Sequence, residues 1–504
     1  MAEIANIEIT SIDDYDLLKS EIPTTYIDDC VVKMLKCNVG TICKRIVIDY
    51  PYYDRDFLST YYIFYAKKFR DYSKKCYRLI LIGDDMKVDN GDIGQKLIGY
   101  ITLRPTHKGS KIGKSYIDPE YLLDKPSHIM LEKFKMHFDG TEVTIDAFPW
   151  MQQESDVSIC AHTALWSVIR YARKFRQYPV LSMAEVIDKV ECDTRKIPSV
   201  GLTVQQISNV LLKCGFSPIV RKEKDKDRWQ FSKGSSLLNE CLTYVDSGIP
   251  VIGTMDRLNH AIVLNGYCDV NRAMLDLDYI FQNGCVVRHL ADGTQEKTNV
   301  ILHTELINSL IANDDGFFPY KEVSRPAVGG LYRYQGGIPE EAEDKNYYLT
   351  ESINNAVIPL YSRTQLAYND VLSYFIGIVQ KNQIKDIRLN WPSKIVARIF
   401  MTSANSYKEY IKSTMEDLNE ELCSMIMEVK FPRFIWCVEI SSFESYKDKK
   451  IDGIAIIDPT CSTKCEYPFI FLHDGEKAGV YNVETAETPF VDIRIAPYCA
   501  TPLS

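Results

Sequence analysis

Cys160 stands at the junction in FPWMQQESDVSICAHTALWSVIRYA where a polar, cap-rich stretch gives way to an apolar helical pattern. Ala161, Ala164, Leu165, Val168, Ile169 and Ala172 fall on one face, which predicts a helix beginning at about the cysteine. A thiol placed there meets unpaired backbone N–H groups and the positive end of the helix dipole, and both favour a thiolate. Ser155, Asp156 and Ser158 are the candidate caps. The same N–H groups can hold the oxyanion of an attacked carbonyl, and the side chain of Gln152 or Gln153 offers a second donor.

A cysteine nucleophile needs a base. Of the eight histidines, His162 is too near Cys160 in sequence to face it across a cleft and reads as a partly exposed helix residue. His107, His128, His137, His289, His303 and His473 lie in polar or irregular contexts. His260 follows the turn DRLN and opens the apolar strand pattern AIVLNGY, so its backbone would be fixed while its ring projects into a cleft. Taken alone it reads equally well as a strand-edge histidine without a role.

Cys160 and His260 do not stand alone. An amide followed by a cysteine at a helix start, then about a hundred residues later G-I-P-V-I and H-A-x-x-x-x-G-Y, resembles the papain-like cysteine peptidases. The likeness is greatest to the branch that processes bacteriocin leader peptides, and GLTVQQISNVLLKCGF is similar to the helix between cysteine and histidine in that branch. It covers roughly residues 148–320. The family's oxyanion glutamine usually lies six residues before the cysteine. This chain has Glu154 there and Gln153 one residue further away, so the loop must absorb an extra residue. The branch is usually fused to a membrane transporter, which this chain lacks, so its double-glycine-leader substrate is not carried over.

The resemblance implies a thioester mechanism without metal or cofactor, on a protein or peptide substrate. Cys160 would attack the carbonyl, His260 would move the proton, and Gln153 would steady the oxyanion. An acidic residue on the strand after the histidine strand would orient the imidazole. Asp314, in SLIANDDGFFPY, follows a short apolar strand and starts a turn, and is the first choice. Asp276, in MLDLDYIF, is second and Asp458, in GIAIIDPT, third. Each of them equally fits a turn or cap aspartate.

These residues require a scaffold. The expectation is an α+β chain with a papain-like core at 146–325, an N-terminal α/β unit at 1–145 and a helical and strand region at 326–504. In the first unit, RIVIDY, YRLILIG and KLIGYITLRP read as strands and LSTYYIFYAKKFRDYSKK as an amphipathic helix with Lys67, Lys68, Arg70, Lys74 and Lys75 on its solvated face. The core continues with helices in SMAEVIDKV, GLTVQQISNVLLKCGF and SSLLNECLTYVDSG and buried strands in IPVIGTM and HAIVLNGY. RPAVGGLYRYQGGIPEEAEDK is the most linker-like stretch. Beyond it, RTQLAYNDVLSYFIGIVQ and SYKEYIKSTMEDLNEELCSMIMEV read as helices, and RFIWCVEI and GIAIIDP as strands.

Composition narrows the function classes. The chain is 46% apolar and 25% charged, as folded chains are, and its net charge of -9 argues against nucleic-acid binding. Neither a signal peptide nor a membrane span is legible, so a cytoplasmic location is expected, with no membrane partner. Most of the 15 cysteines are then expected to be reduced and buried, and any special one reactive or metal-binding. Cys461 and Cys465, and the group Cys30, Cys37 and Cys43, lack the companion ligands of a zinc site. GSKIGKS, from Gly109 to Ser115, is one residue short of a phosphate-binding loop, and Pro119 spoils the helix that must follow. Oligomeric state is not legible. The same Cys-His pair would also serve an acyl transferase or a deamidase. A degenerate scaffold whose flanks are the working surfaces is the non-enzymatic alternative.

Overall fold

The computed structural model describes residues 3–501 apart from 88–92, 107–109, 139, 155, 176, 193–194, 200, 224–235, 269–271, 273–285, 291, 308, 325–332, 335–352, 382, 385–386, 415–419, 482–488 and 494. Ser155, His107, Asp276 and most of the linker-like stretch therefore lie outside the described residues.

The chain is a mixed α+β protein. Its first sheet is an antiparallel meander of Glu3–Glu8, Arg45–Tyr52, Cys76–Lys87, Ile93–Leu103 and Ile112–Ile117, neighbours in chain order. Two helices, Asp29–Asn38 and Arg55–Ile63, begin at aspartates whose side chains accept from the N–H of Val31 and Phe57. The second helix is shorter than its sequence pattern. Phe64 leaves helical backbone at φ -131° and ψ -63°, where Tyr61, Tyr62, Phe64 and Tyr65 pack ring against ring. Aromatic residues are mediocre helix formers, and their packing decides the end. Lys68 is consequently off the expected solvated helix face. It pairs with Asp156 at 3.0 Å and lies over the Phe64 ring.

From within the GSKIGKS stretch the chain forms the strand Ile112–Ile117. Lys114 points inward to Asp54, 2.6 Å away, and Asp56, 3.7 Å away.

The middle sheet runs Lys321–Ser324, Ser309–Asn313, His260–Tyr267, Val251–Met255, Asn355–Ile358, Ile219–Lys222, with every neighbour antiparallel. The helix Cys160–Tyr171 packs across the His260–Tyr267 strand. A third sheet includes Gln295–Leu302, Lys394–Ser403, Phe434–Ser441, Gly453–Ile457 and Phe469–His473. Strand pairing thus crosses the boundary expected near 325 in both directions. Asn355–Ile358 completes the middle sheet, and Gln295–Leu302 pairs in parallel with Lys394–Ser403. One apolar cluster extends from Ile7 through Leu165 and Val263 to Leu472. The long pattern SYKEYIKSTMEDLNEELCSMIMEV forms two helices, Ala404–Ser413 and Glu420–Glu428. Among the described residues no helix is long and apolar enough to cross a membrane.

Candidate active site

Cys160 is the first residue of its helix. The preceding residue, Ile159, has extended backbone and offers no polar cap, so neither Asp156 nor Ser158 caps the helix as expected. His162 takes that task in part, its Nδ1 accepting from the Ile159 N–H at 3.4 Å. It is buried, contrary to the partly exposed position expected, and burial pulls its pKa down to about 4. His162 is therefore a neutral structural residue. The helix is buried on every side, not on one face: strands of the middle sheet and the helices Met183–Lys189 and Val204–Lys213 pack against it, and Asp56 of the N-terminal unit reaches it. Its polar groups find partners there. Trp166 Nε1 donates to Asp56 at 2.9 Å, and Arg170 pairs with the same carboxylate at 2.9 Å.

Asn259 lies at φ +49°, a left-handed conformation that asparagine tolerates, and turns the chain into the His260 strand. The Asn259 carbonyl lies 4.0 Å from Cys160 Sγ. On the neighbouring strand, Asn313 is the register partner of Val263, and Asp314 follows at the strand end. Asp314 is held from three directions. Its carbonyl accepts from Trp150 Nε1 at 3.0 Å, its Oδ1 accepts from Gly316 N–H at 2.7 Å, and its Oδ2 lies 3.0 Å from His260 Nε2. Asp315 Oδ1 stands 3.7 Å from the same nitrogen.

Electrostatics follow from this grouping. Burial alone would lower the His260 pKa. Hydrogen bonding to Asp314 and Cys160, with the charges of Asp314 and Asp315, more than reverses this and pushes it up to about 11. Asp315 moves the other way from a surface carboxylate. Burial and the Asp314 charge raise it to about 6, against the opposing pull of His260 and the Gln153 backbone. With Nε2 taken by Asp314, Nδ1 is the ring nitrogen left for the sulfur. Ligand atoms of His260, Asp314 and Asp315 lie within 4.8 Å of one another, close enough to share a cation, although the histidine and Asp314 already engage each other directly.

Cys160, His260 and Gln153 line one cleft of about 690 Å³, whose walls include Val190, Leu202 and Met255. Gln152 is turned away. Its Oε1 accepts from the Ile112 N–H at 3.0 Å, and of the two glutamines only Gln153 lines the cleft. Between Gln153 and the cysteine, Glu154 and Ser158 exchange backbone hydrogen bonds of 2.8 and 2.9 Å. Glu154 is buried, 3.7 Å from Arg104.

Asp458 is elsewhere. It caps a turn by accepting from Thr460 N–H at 2.8 Å. His303 and His473 are buried against the hydroxyls of Tyr446 and Tyr498. Sequence reasoning did not single out Asp315, Asn259 or Arg104. For Asp315 the signal was present in the Asp-Asp pair of IANDDG. No family model, curated protein or solved structure matches the chain.

Proposed function

We propose that the chain is a papain-like cysteine peptidase acting on a protein or peptide in the cytoplasm. The observation that carries this reading is the placement of His260, which bonds Asp314 at 3.0 Å and lines one cleft together with Cys160 and Gln153. Cys160 at a helix start has N–H groups beside it that no helical carbonyl can satisfy.

In the proposed reaction the Cys160 proton already resides on His260, whose Nδ1 faces the sulfur, and the thiolate Sγ bonds to the substrate carbonyl carbon. The oxygen becomes an oxyanion facing the helix N-terminus and Gln153. The C–N bond then breaks, and the imidazolium protonates the leaving amine. Water, deprotonated by His260, splits the thioester and restores the thiolate. Asp314 fixes the ring and stabilises its cationic form throughout. No step calls on a metal or a cofactor.

The test compares new peptide termini across a proteome treated with the intact protein and with Cys160→Ala. Termini that depend on Cys160 are expected. Their absence counts against peptide hydrolysis. In that case, newly linked amines would point to acyl transfer through the same thioester, and deamidated side chains to a deamidase.

A further inference from the structure

Arg104 follows the Ile93–Leu103 strand of the N-terminal sheet and is only 4% exposed. Its Nη2 reaches the carbonyls of Ile112 at 2.8 Å, Gln152 at 3.1 Å and Gln153 at 3.4 Å, while Nη1 lies 3.7 Å from the Glu154 carboxylate. A second set of bonds reinforces the first. The Gln152 N–H donates to the Ile112 carbonyl at 3.1 Å, and the Ile112 N–H donates to Gln152 Oε1 at 3.0 Å. Residues 152–154 are thus strapped to the N-terminal sheet, and Gln153 is the member of the strap that also lines the cleft. The next residue on that sheet strand is Gly113, where a Cβ would lie 3.0 Å from Arg104 Cδ and 3.1 Å from Cγ. The missing side chain leaves room for the arginine stem.

We propose that Arg104 is a positioning residue that sets Gln153 for the oxyanion, so that the N-terminal unit braces the active site from behind its lining. The inference rests on the peptidase reading above. Guanidinium bonds to several carbonyls fix a backbone segment as one lysine could not, because the donors are held in a rigid fork. A glutamine in an irregular segment needs such a brace, since a small displacement of an oxyanion donor forfeits most of its effect. The Cys160–His260 pair sits on other elements and does not depend on the strap.

Two reactions of the full chain separate these roles. Acylation by p-nitrophenyl acetate forms the Sγ–C bond through an oxyanion and expels p-nitrophenolate. Alkylation by iodoacetamide displaces iodide and forms no oxyanion. Both are read at Cys160 after subtraction of the Cys160→Ala background. Arg104→Met is expected to slow acylation at least ~10-fold, part of the ~100-fold or more that an oxyanion donor supplies. Alkylation should stay within about 2-fold. In a Gln153→Ala background the same change should add less than about 2-fold. Gly113→Ala, which displaces the arm and keeps its charge, should reproduce the pattern in weaker form and serves if Arg104→Met does not fold. Parallel loss of both reactions, or an undiminished effect of the Arg104 change without Gln153, would overturn the inference. A Cys160 in the unaltered chain that reacts with iodoacetamide no faster than its neighbours would instead remove the peptidase reading, and the inference with it.

Discussion

His260 Nε2 and Asp314 Oδ2 are 3.0 Å apart, although 54 positions separate the residues, and the contact is made at the ends of two adjacent antiparallel strands. Strand register gives this pair a fixed geometry. Asp314→Ala is expected to slow acylation by roughly 10- to 100-fold or more, since the ring loses both its tautomer and its counter-charge. Loss of the Gly316 bond should also lower stability by about 1–3 kcal/mol. Asp458→Ala, at a distant turn, should leave the rate alone. Single-turnover acylation of the two variants distinguishes them, and an equal effect would dismiss Asp314 as the orienting residue.

Cys160→Ala should abolish turnover and keep the fold, because removing one sulfur at a helix start costs on the order of 1 kcal/mol. His260→Ala should be nearly as inactive, and the double variant no worse than either single one, since nucleophile and base act as a unit. Measured turnover in the three proteins checks this, and multiplicative losses would show that the two residues act separately.

Asp315 makes a pH prediction of definite sign. Its folded pKa, about 6, lies above the ordinary 3.8, so folding favours the protonated carboxyl. The stability from this group is present below pH ~4 and is lost as the pH rises through 6. Asp315→Asn removes that loss. Its melting temperature, compared with that of the unaltered chain, should therefore gain between pH ~4 and ~6 and level off above that. A constant difference across that range would mean that Asp315 does not titrate in it.

The N-terminal unit is joined to the Cys160 helix by a buried charge, Asp56, held by Trp166 and Arg170 and flanked by Lys114. Asp56→Ala leaves Arg170 buried without its partner and should cost about 3–5 kcal/mol in chemical denaturation. A loss below ~1 kcal/mol would show that water readily replaces the carboxylate.

Much of the site was legible because local pattern and local structure agree there. The Cys160 helix and the strands at 251–255 and 260–267 form where their apolar periodicity puts them. Sequence offered three aspartates as candidates to orient His260, and strand pairing brings Asp314 within 3.0 Å of it. The illegible parts depend on contacts between distant segments. Burial of the whole Cys160 helix reflects later helices and strands packed around it, together with Asp56 from far upstream, which no window around residue 160 contains. Arg104 sits in an ordinary strand end, LRPT, and gains its partners only when residues 152–154 arrive. Asn355–Ile358 enters the middle sheet from beyond the linker-like stretch, a pairing that composition does not signal.

The account stands most directly on the reactivity of one sulfur. Cys160 is 8% exposed, whereas Cys30, Cys37 and Cys499 are on the surface. Accessibility alone would make the surface thiols react first. Limiting iodoacetamide at pH 6–7, followed by peptide mass spectrometry, ranks them. The account predicts that Cys160 is labelled at least ~10-fold faster than the surface cysteines, and that His260→Ala abolishes the advantage. Labelling of Cys160 no faster than that of Cys30, Cys37 or Cys499 would contradict it.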